Sequence, residues 1–290
     1  MQPRKHTVTL QGPPLVIEAA PLTRDAFAPF GDVVENPRPG LDPLSVDSVP
    51  SPTHFAAVKA NQGSAIKYAD VSHLINLYDQ ARSGRPGSPA MSLFSCAARV
   101  RIPDPHEAES PPALADPART STSGPSPGIS PLPTTFPIAV LERHPFTTQT
   151  FIPLTFDPNA HYLVIVAPTL PATGQDTAEF AVPAQLPSST SYPRPLPGAG
   201  LPDLRKLRAF VARADQAVTY GAGTWHAPMV ALGSERGKVV DFVVTQFVNG
   251  IAEEDCQEVF FESLENSVEG EAPVVVTLRT LPDGTGKAKL

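Results

Sequence analysis

The chain has 290 residues, a formal charge of −7, 36 prolines and two cysteines, Cys96 and Cys256. An acidic balance without a basic run excludes the electrostatic footprint of a nucleic-acid binder, and no apolar stretch approaches the roughly 18 residues of a membrane-spanning helix. Proline at more than twice its ordinary usage argues against a mainly helical protein, and two cysteines allow at most one disulfide, which favours a reducing compartment.

In chain order, the charged Met1–His6 start is followed by no hydrophobic segment, so no secretory signal is expected. A strand is predicted over 14–19, a short helix over 22–27 with Thr23 as N-cap, and a strand over 31–35. Alternation predicts a strand at 65–70, and a helix is predicted over 70–81. Long strands are predicted at 91–102 and 136–144, then at 148–154 and 161–168. Further strands are expected at 204–212, 217–220, 238–248 and 274–278, with a helix over 253–266. Ten prolines fall in 103–137 and eight in 168–203, neither stretch showing a helix or strand period. Both read as extended or disordered inserts, and 281–290 as a flexible tail. Many short strands between turn signals predict one mainly β domain, a sandwich or barrel decorated with loops.

Seven histidines are present. His6 and His106 fall in the N-terminal tail and the first insert and are set aside. No His-x-His pair and no His-Glu-x-x-His helix occurs, so spacing gives a metal site no support, and no metal or other cofactor is expected. No glycine-rich phosphate loop and no Gly-x-Ser-x-Gly elbow occurs either. Two clusters remain. If 136–144 is a strand, Glu142 and His144 share a face, which makes either an acid/base pair or a polar outer surface. In the second, Tyr220 precedes a Gly-flanked bend that carries the only tryptophan, Trp225, beside His226. That arrangement is either packing or part of a site.

The blocks Pro21-Leu22-Thr23-x-x-Ala26-Phe27-x-Pro29-Phe30-Gly31-Asp32-Val33, Glu142-Arg143-His144-Pro145 with Gln149-x-Phe151-Ile152-Pro153, and Gly223-x-Trp225-His226-x-Pro228 together resemble the ureidoglycolate lyase family. Asn61-Gln62-Gly63 with Lys67-Tyr68-x-Asp70, and Asp255-Cys256-x-Glu258, add to the likeness. It covers roughly 15–35, 54–102, 136–167 and 204–262 and leaves out the proline-rich stretches, as a fungal-type member with inserts would. Ala227 stands where bacterial members often carry a second histidine, which favours His226 as the functional one.

The resemblance implies a cupin-like double-stranded β-helix or barrel, a homodimer, and elimination of urea from (S)-ureidoglycolate to give glyoxylate in allantoin catabolism. Such a reaction needs a base for the substrate hydroxyl, an acid for the leaving nitrogen and a cation for the carboxylate. His144 and His226 are the acid/base candidates, with Glu142 orienting an imidazole or acting as base. Arg143 or Lys67 would hold the carboxylate. Gln149 and Asn61 would read the ureido group, and Tyr220 and Trp225 would wall the pocket, or else pack in the core. The alternatives are an amidohydrolase releasing ammonia and a non-catalytic cupin-like binding protein. No nucleic-acid or membrane partner is expected. Ala288-Lys289-Leu290 nearly matches a peroxisomal address, so a peroxisomal or else cytoplasmic location is expected.

Overall fold

Short runs rich in Val, Phe, Thr and Tyr form strands because each can bury a pleated face, and Gly and Pro turn the chain between them. The computed structural model describes residues 5–46, 55–101, 134–155, 157–186, 192–196, 198–233, 237–263 and 272–278. Its strands are β1 (Lys5–Leu10), β2 (Leu15–Glu18), β3 (Ala20–Pro21), β4 (Gly31–Val34), β5 (Ala57–Ala60), β6 (Ala65–Tyr68), β7 (Ser88–Ala97), β8 (Thr135–Pro137) and β9 (Val140–Arg143). They continue with β10 (Gln149–Leu154), β11 (His161–Ala167), β12 (Arg208–Arg213), β13 (Ala217–Tyr220), β14 (Trp225–His226), β15 (Val230–Leu232), β16 (Val239–Val248), β17 (Gln257–Ser263) and β18 (Val274–Thr277). Short helices α1 (Arg24–Phe27), α2 (Gly174–Glu179) and α3 (Ala252–Asp255) lie between them.

The largest sheet runs β1-β17-β9-β14-β11-β12-β3, with β15 added against β11. A five-stranded sheet runs β4-β13-β10-β16-β7, and β2-β18-β8 and the hairpin β5-β6 form two smaller ones. The fold is mainly β, as expected. Its sheets are layered, and among the described residues none closes into a complete barrel. Strand β11 shows why the layers hold. Leu163, Ile165 and Ala167 join one core with Leu141, Trp225 and Val276, while Tyr162, Val164 and Val166 join a second with Phe151, Tyr220 and Phe242. The largest sheet is therefore covered on both faces, and so 162–167 is apolar at every position instead of alternating.

Several expectations are corrected. Residues 70–81 do not form a helix. The segment bonds sideways to the 146–148 loop, with Leu77 N donating to Phe146 O at 2.7 Å and Ile75 N to Thr148 Oγ1 at 2.9 Å, and only Tyr78–Gln80 makes a helical turn. Ile75, Leu77 and Tyr78 then bury in a small third core around Phe146. The helix expected over 253–266 stops at Asp255, and β17 follows, because Gln257, Val259 and Phe261 alternate inward with period two. The strand expected over 136–144 is two strands in different sheets, so 135–137 belongs to β8 and not to an insert. The N-terminal tail read at His6 is strand β1, which pairs in parallel with β17. The second insert is also ordered where it is described. Helix α2 carries a reciprocal Thr173–Asp176 capping box, and Phe180, Ala181 and Ala199 are buried. Arg194 donates to Ala28 O at 2.6 Å and to the Asp32 carboxylate, fastening this segment to β4. Burial pushes Asp32 up, but the Arg194 and His73 donors outweigh it and hold the carboxyl below its usual range. Of the first insert, 103–133 lies outside the described residues, as does the tail at 281–290.

Candidate active site

Strands β9 and β14 lie side by side, with Glu142 directly opposite His226. Pleating sends Leu141 to one side of the sheet and Glu142 to the other, and Trp225 and His226 part in the same way. The bend before β14 needs Gly223, whose φ of 73° lies in the left-handed region. Gly223 N donates to His144 O at 2.8 Å, which ties the bend to the end of β9.

Glu142, His144 and His226 converge, with one donor atom from each within 4.8 Å of the others. His226 Nε2 lies 3.6 Å from Glu142 Oε1, and the two imidazole centroids are 5.5 Å apart. His144 Nδ1 contacts Asp255 O at 2.6 Å, and His226 Nδ1 contacts Thr224 O at 2.9 Å. A carbonyl only accepts, so each Nδ1 carries a proton and each ring turns its Nε2 edge into the site. Both Nε2 atoms are buried and have no hydrogen-bond partner among the described residues. The His226 imidazole is driven down to about 3 by burial, with the neighbouring His144 adding to it, so it is neutral at neutral pH. Glu142 moves the opposite way. Burial raises its carboxyl and Glu258 raises it further, against an opposing effect of His144. The same three side chains could also hold a divalent cation, since imidazoles that donate Nδ1–H to carbonyls and present Nε2 are set up as ligands.

The facing wall comes from the five-stranded sheet. The Tyr220 ring stacks on His226 at 4.0 Å and 9°. Gln149 is the cross-strand partner of Tyr220, so its side chain leaves the sheet on the same side. Its Nε2 donates to Gln246 Oε1 at 2.8 Å, and its own Oε1 is buried without a partner among the described residues.

Of the residues named from the sequence, Glu142, His144, His226 and Tyr220 thus meet in one place, and Gln149 lies beside Tyr220 on the neighbouring strand. Arg143 and Trp225 lie across the sheet. The Arg143 guanidinium stacks on the Trp225 ring at 4.3 Å and donates to Gln257 Oε1 and Gly198 O, both at 2.9 Å. The Trp225 indole is fully buried and donates to Gly200 O at 3.3 Å. Asn61 and Lys67 are exposed on the β5–β6 hairpin, and no described contact links them to the cluster. His73 bonds Asp32, His161 sits at the start of β11, and His54 and His106 lie outside the described residues. Sequence reasoning passed over Gln246, and it named Cys256 and Glu258 only as part of the family likeness, without a place in the site. Cys256 Sγ lies 4.0 Å from Glu142 Oε2, and Glu258 pairs across from Glu142. The period of two in 257–263 was the signal that would have put Glu258 on this face. Two cavities of about 440 and 550 Å³ lie elsewhere, one beneath the 192–196 segment and the other around Arg24, Glu35 and Phe55.

A layered β protein with two imidazoles, a carboxyl and an amide turned onto one buried spot is of the class that moves protons on a small polar molecule. The chain belongs to the ureidoglycolate lyase family, whose model matches residues 14–269. It is 34% identical to a ureidoglycolate lyase of Schizosaccharomyces pombe over 87% of this chain and 94% of that one. With that of Saccharomyces cerevisiae it is 31% identical over 84% and 93%. With one from Burkholderia mallei it is 30% identical over 77% and 78%.

Proposed function

We propose that the chain is a ureidoglycolate lyase, a carbon–nitrogen lyase releasing urea and glyoxylate. The observation that carries this is the set of buried polar atoms without a hydrogen-bond partner among the described residues: His144 Nε2 and His226 Nε2 beside the Glu142 carboxyl, and Gln149 Oε1 on the strand that pairs with Tyr220. Buried polar atoms are normally paired, so these three wait for a polar ligand. In ureidoglycolate one carbon bears a hydroxyl, a carboxylate and a ureido nitrogen. His144, the less buried imidazole, takes the hydroxyl proton, the C–O bond becomes a carbonyl, and the C–N bond breaks. Its electron pair stays on nitrogen, which takes a proton from Glu142. Burial shifts the Glu142 carboxyl up and the His226 imidazole down, so of the two facing groups, 3.6 Å apart, the carboxyl is the one disposed to carry the proton. Urea release from racemic ureidoglycolate tests the assignment. Ammonia as first product would point to the amidohydrolase, and binding without turnover to a binding protein.

A second reading starts from the same donors. A divalent cation on Glu142, His144 and His226 would polarise the hydroxyl or carboxylate oxygen as a Lewis acid. Metal analysis of purified protein and activity after chelation separate the two readings.

We also propose a homodimer through the outer face of the five-stranded sheet. Met91, Leu93, Ile152, Leu154 and Val239 are exposed there, and Leu93, Val243 and Ile152 form one cross-strand row. The edge strand β7 carries no charge over its ten residues, so a second copy can pair with it without like-charge repulsion. Light scattering on Leu93→Asp tests this, and an unchanged mass would overturn it. The peroxisomal reading rests on Ala288-Lys289-Leu290, outside the described residues. A fluorescent protein carrying residues 281–290 tests it by co-localisation.

A further inference from the structure

Gln246 has no part in the proton transfers, yet it touches Gln149, a site residue whose buried acceptor is unmet among the described residues. Gln149 Nε2 donates to Gln246 Oε1 at 2.8 Å, which leaves Gln149 Oε1 buried and free. The two side chains come from adjacent antiparallel strands, β10 and β16, in register from Thr150–Thr245 onward. Gln246 itself is half-buried, and its Nε2 makes no hydrogen bond to a described residue. The pair therefore presents an acceptor and a donor that no other described residue engages, side by side, next to the Tyr220 ring that stacks on His226.

A ureido group offers the matching set, N–H donors and a carbonyl acceptor on one planar frame. We propose that Gln246 and Gln149 together form an amide platform that binds the ureido end of the substrate. Gln149 Oε1 takes a ureido N–H, and Gln246 Nε2 donates to the ureido carbonyl. This rests on the lyase reading above and adds a specificity residue to it. A site built to hydrogen-bond such a group rejects analogues lacking it, because its own buried polar atoms are then left unpaired. The platform would also hold urea after C–N cleavage, so urea should be a product inhibitor whose binding depends on Gln246, while glyoxylate binding does not.

The test compares product inhibition of the full-length wild type with Gln246→Leu, and with Gln246→Glu, which keeps the acceptor and loses the donor. Melting temperatures check that both variants fold. The expected result is a urea inhibition constant raised about 10-fold or more in both variants, a KM for ureidoglycolate raised in step, and a glyoxylate inhibition constant within about twofold of wild type. Unchanged urea inhibition in an active enzyme overturns the platform. So does an equal rise for urea and glyoxylate, which would mean general damage to the pocket. A wild type that releases no urea at all overturns the lyase reading instead.

Discussion

Replacing Arg143 by Met separates a structural role for this buried cation from a substrate-binding one. The side chain is fully buried on the face of β9 turned away from Glu142, flat against Trp225 and over Phe180. Burial pulls its guanidinium down to about 9, with Asp176 opposing the shift, so it is still charged at neutral pH. Met keeps most of the apolar contact but removes two short bonds, to Gln257 Oε1 and Gly198 O. Hydrogen bonds from a charged donor contribute about 1.5–3 kcal/mol each, and relief of the partnerless Nη2 offsets part of the loss, so a net cost of about 3 kcal/mol is expected. At roughly 2–4 °C per kcal/mol for a chain of this size class, Tm should fall by about 6–12 °C. KM and kcat of the folded variant should stay within about twofold of wild type. Differential scanning calorimetry and steady-state urea release read the two effects. An unchanged Tm together with a KM raised tenfold would mean that Arg143 reaches the substrate, and the assignment of faces would fail.

His144→Ala and His226→Gln should each lower kcat by about 10²–10⁴-fold with the fold retained, as measured by urea release and circular dichroism. Near-wild-type turnover in both would sink the proton-transfer scheme. His226 is held neutral, with a folded value of about 3 against an ordinary value near 6.5. Between those pH values the unfolded chain takes up a proton that the folded chain refuses, so stability should fall as pH drops from about 6.5 toward 3. His226→Gln should flatten that limb in denaturant titrations, and a slope unchanged by the substitution would contradict it. Arg194→Ala removes the donors to Ala28 O and Asp32, so limited proteolysis should cut within 192–196 faster while the β-sheet core stays resistant. Equal cleavage rates would show that this bond does not hold the segment.

Most strands were legible because a half-buried strand must alternate. Val240, Phe242 and Val244 face the core while Val239, Asp241 and Val243 face outward, and β16 appears where that pattern does. The pair Glu142 and His144 could be read as sharing a face from spacing alone, and the three motif blocks carried the family. What the neighbouring sheets would cover was not legible. The proline-rich stretch around 180–200 lacks a period because its apolar residues pack singly, Phe180 edge-on to Trp225 and Ala199 in the same core. The segment 253–266 reads as a helix because its acidic start, Glu253 to Asp255, does make the helical turn of α3, and β17 begins only at Gln257.

By itself, then, the sequence determined a mainly β chain, its family, and the residue types a proton-transferring site would use. Only the tertiary structure decided which of them meet. The His226–Glu142 register brings together residues 84 positions apart in the chain, and pleating sends their immediate neighbours Trp225 and Arg143 to the opposite core. Strand alternation says which residues share a face, but which face becomes a site depends on what the next sheet places over it. Here the five-stranded sheet brings Tyr220, Gln149 and Gln246 over Glu142, His144 and His226, whereas the other face of β9 and β14 is sealed by Phe180, Ala199 and the 198–200 backbone.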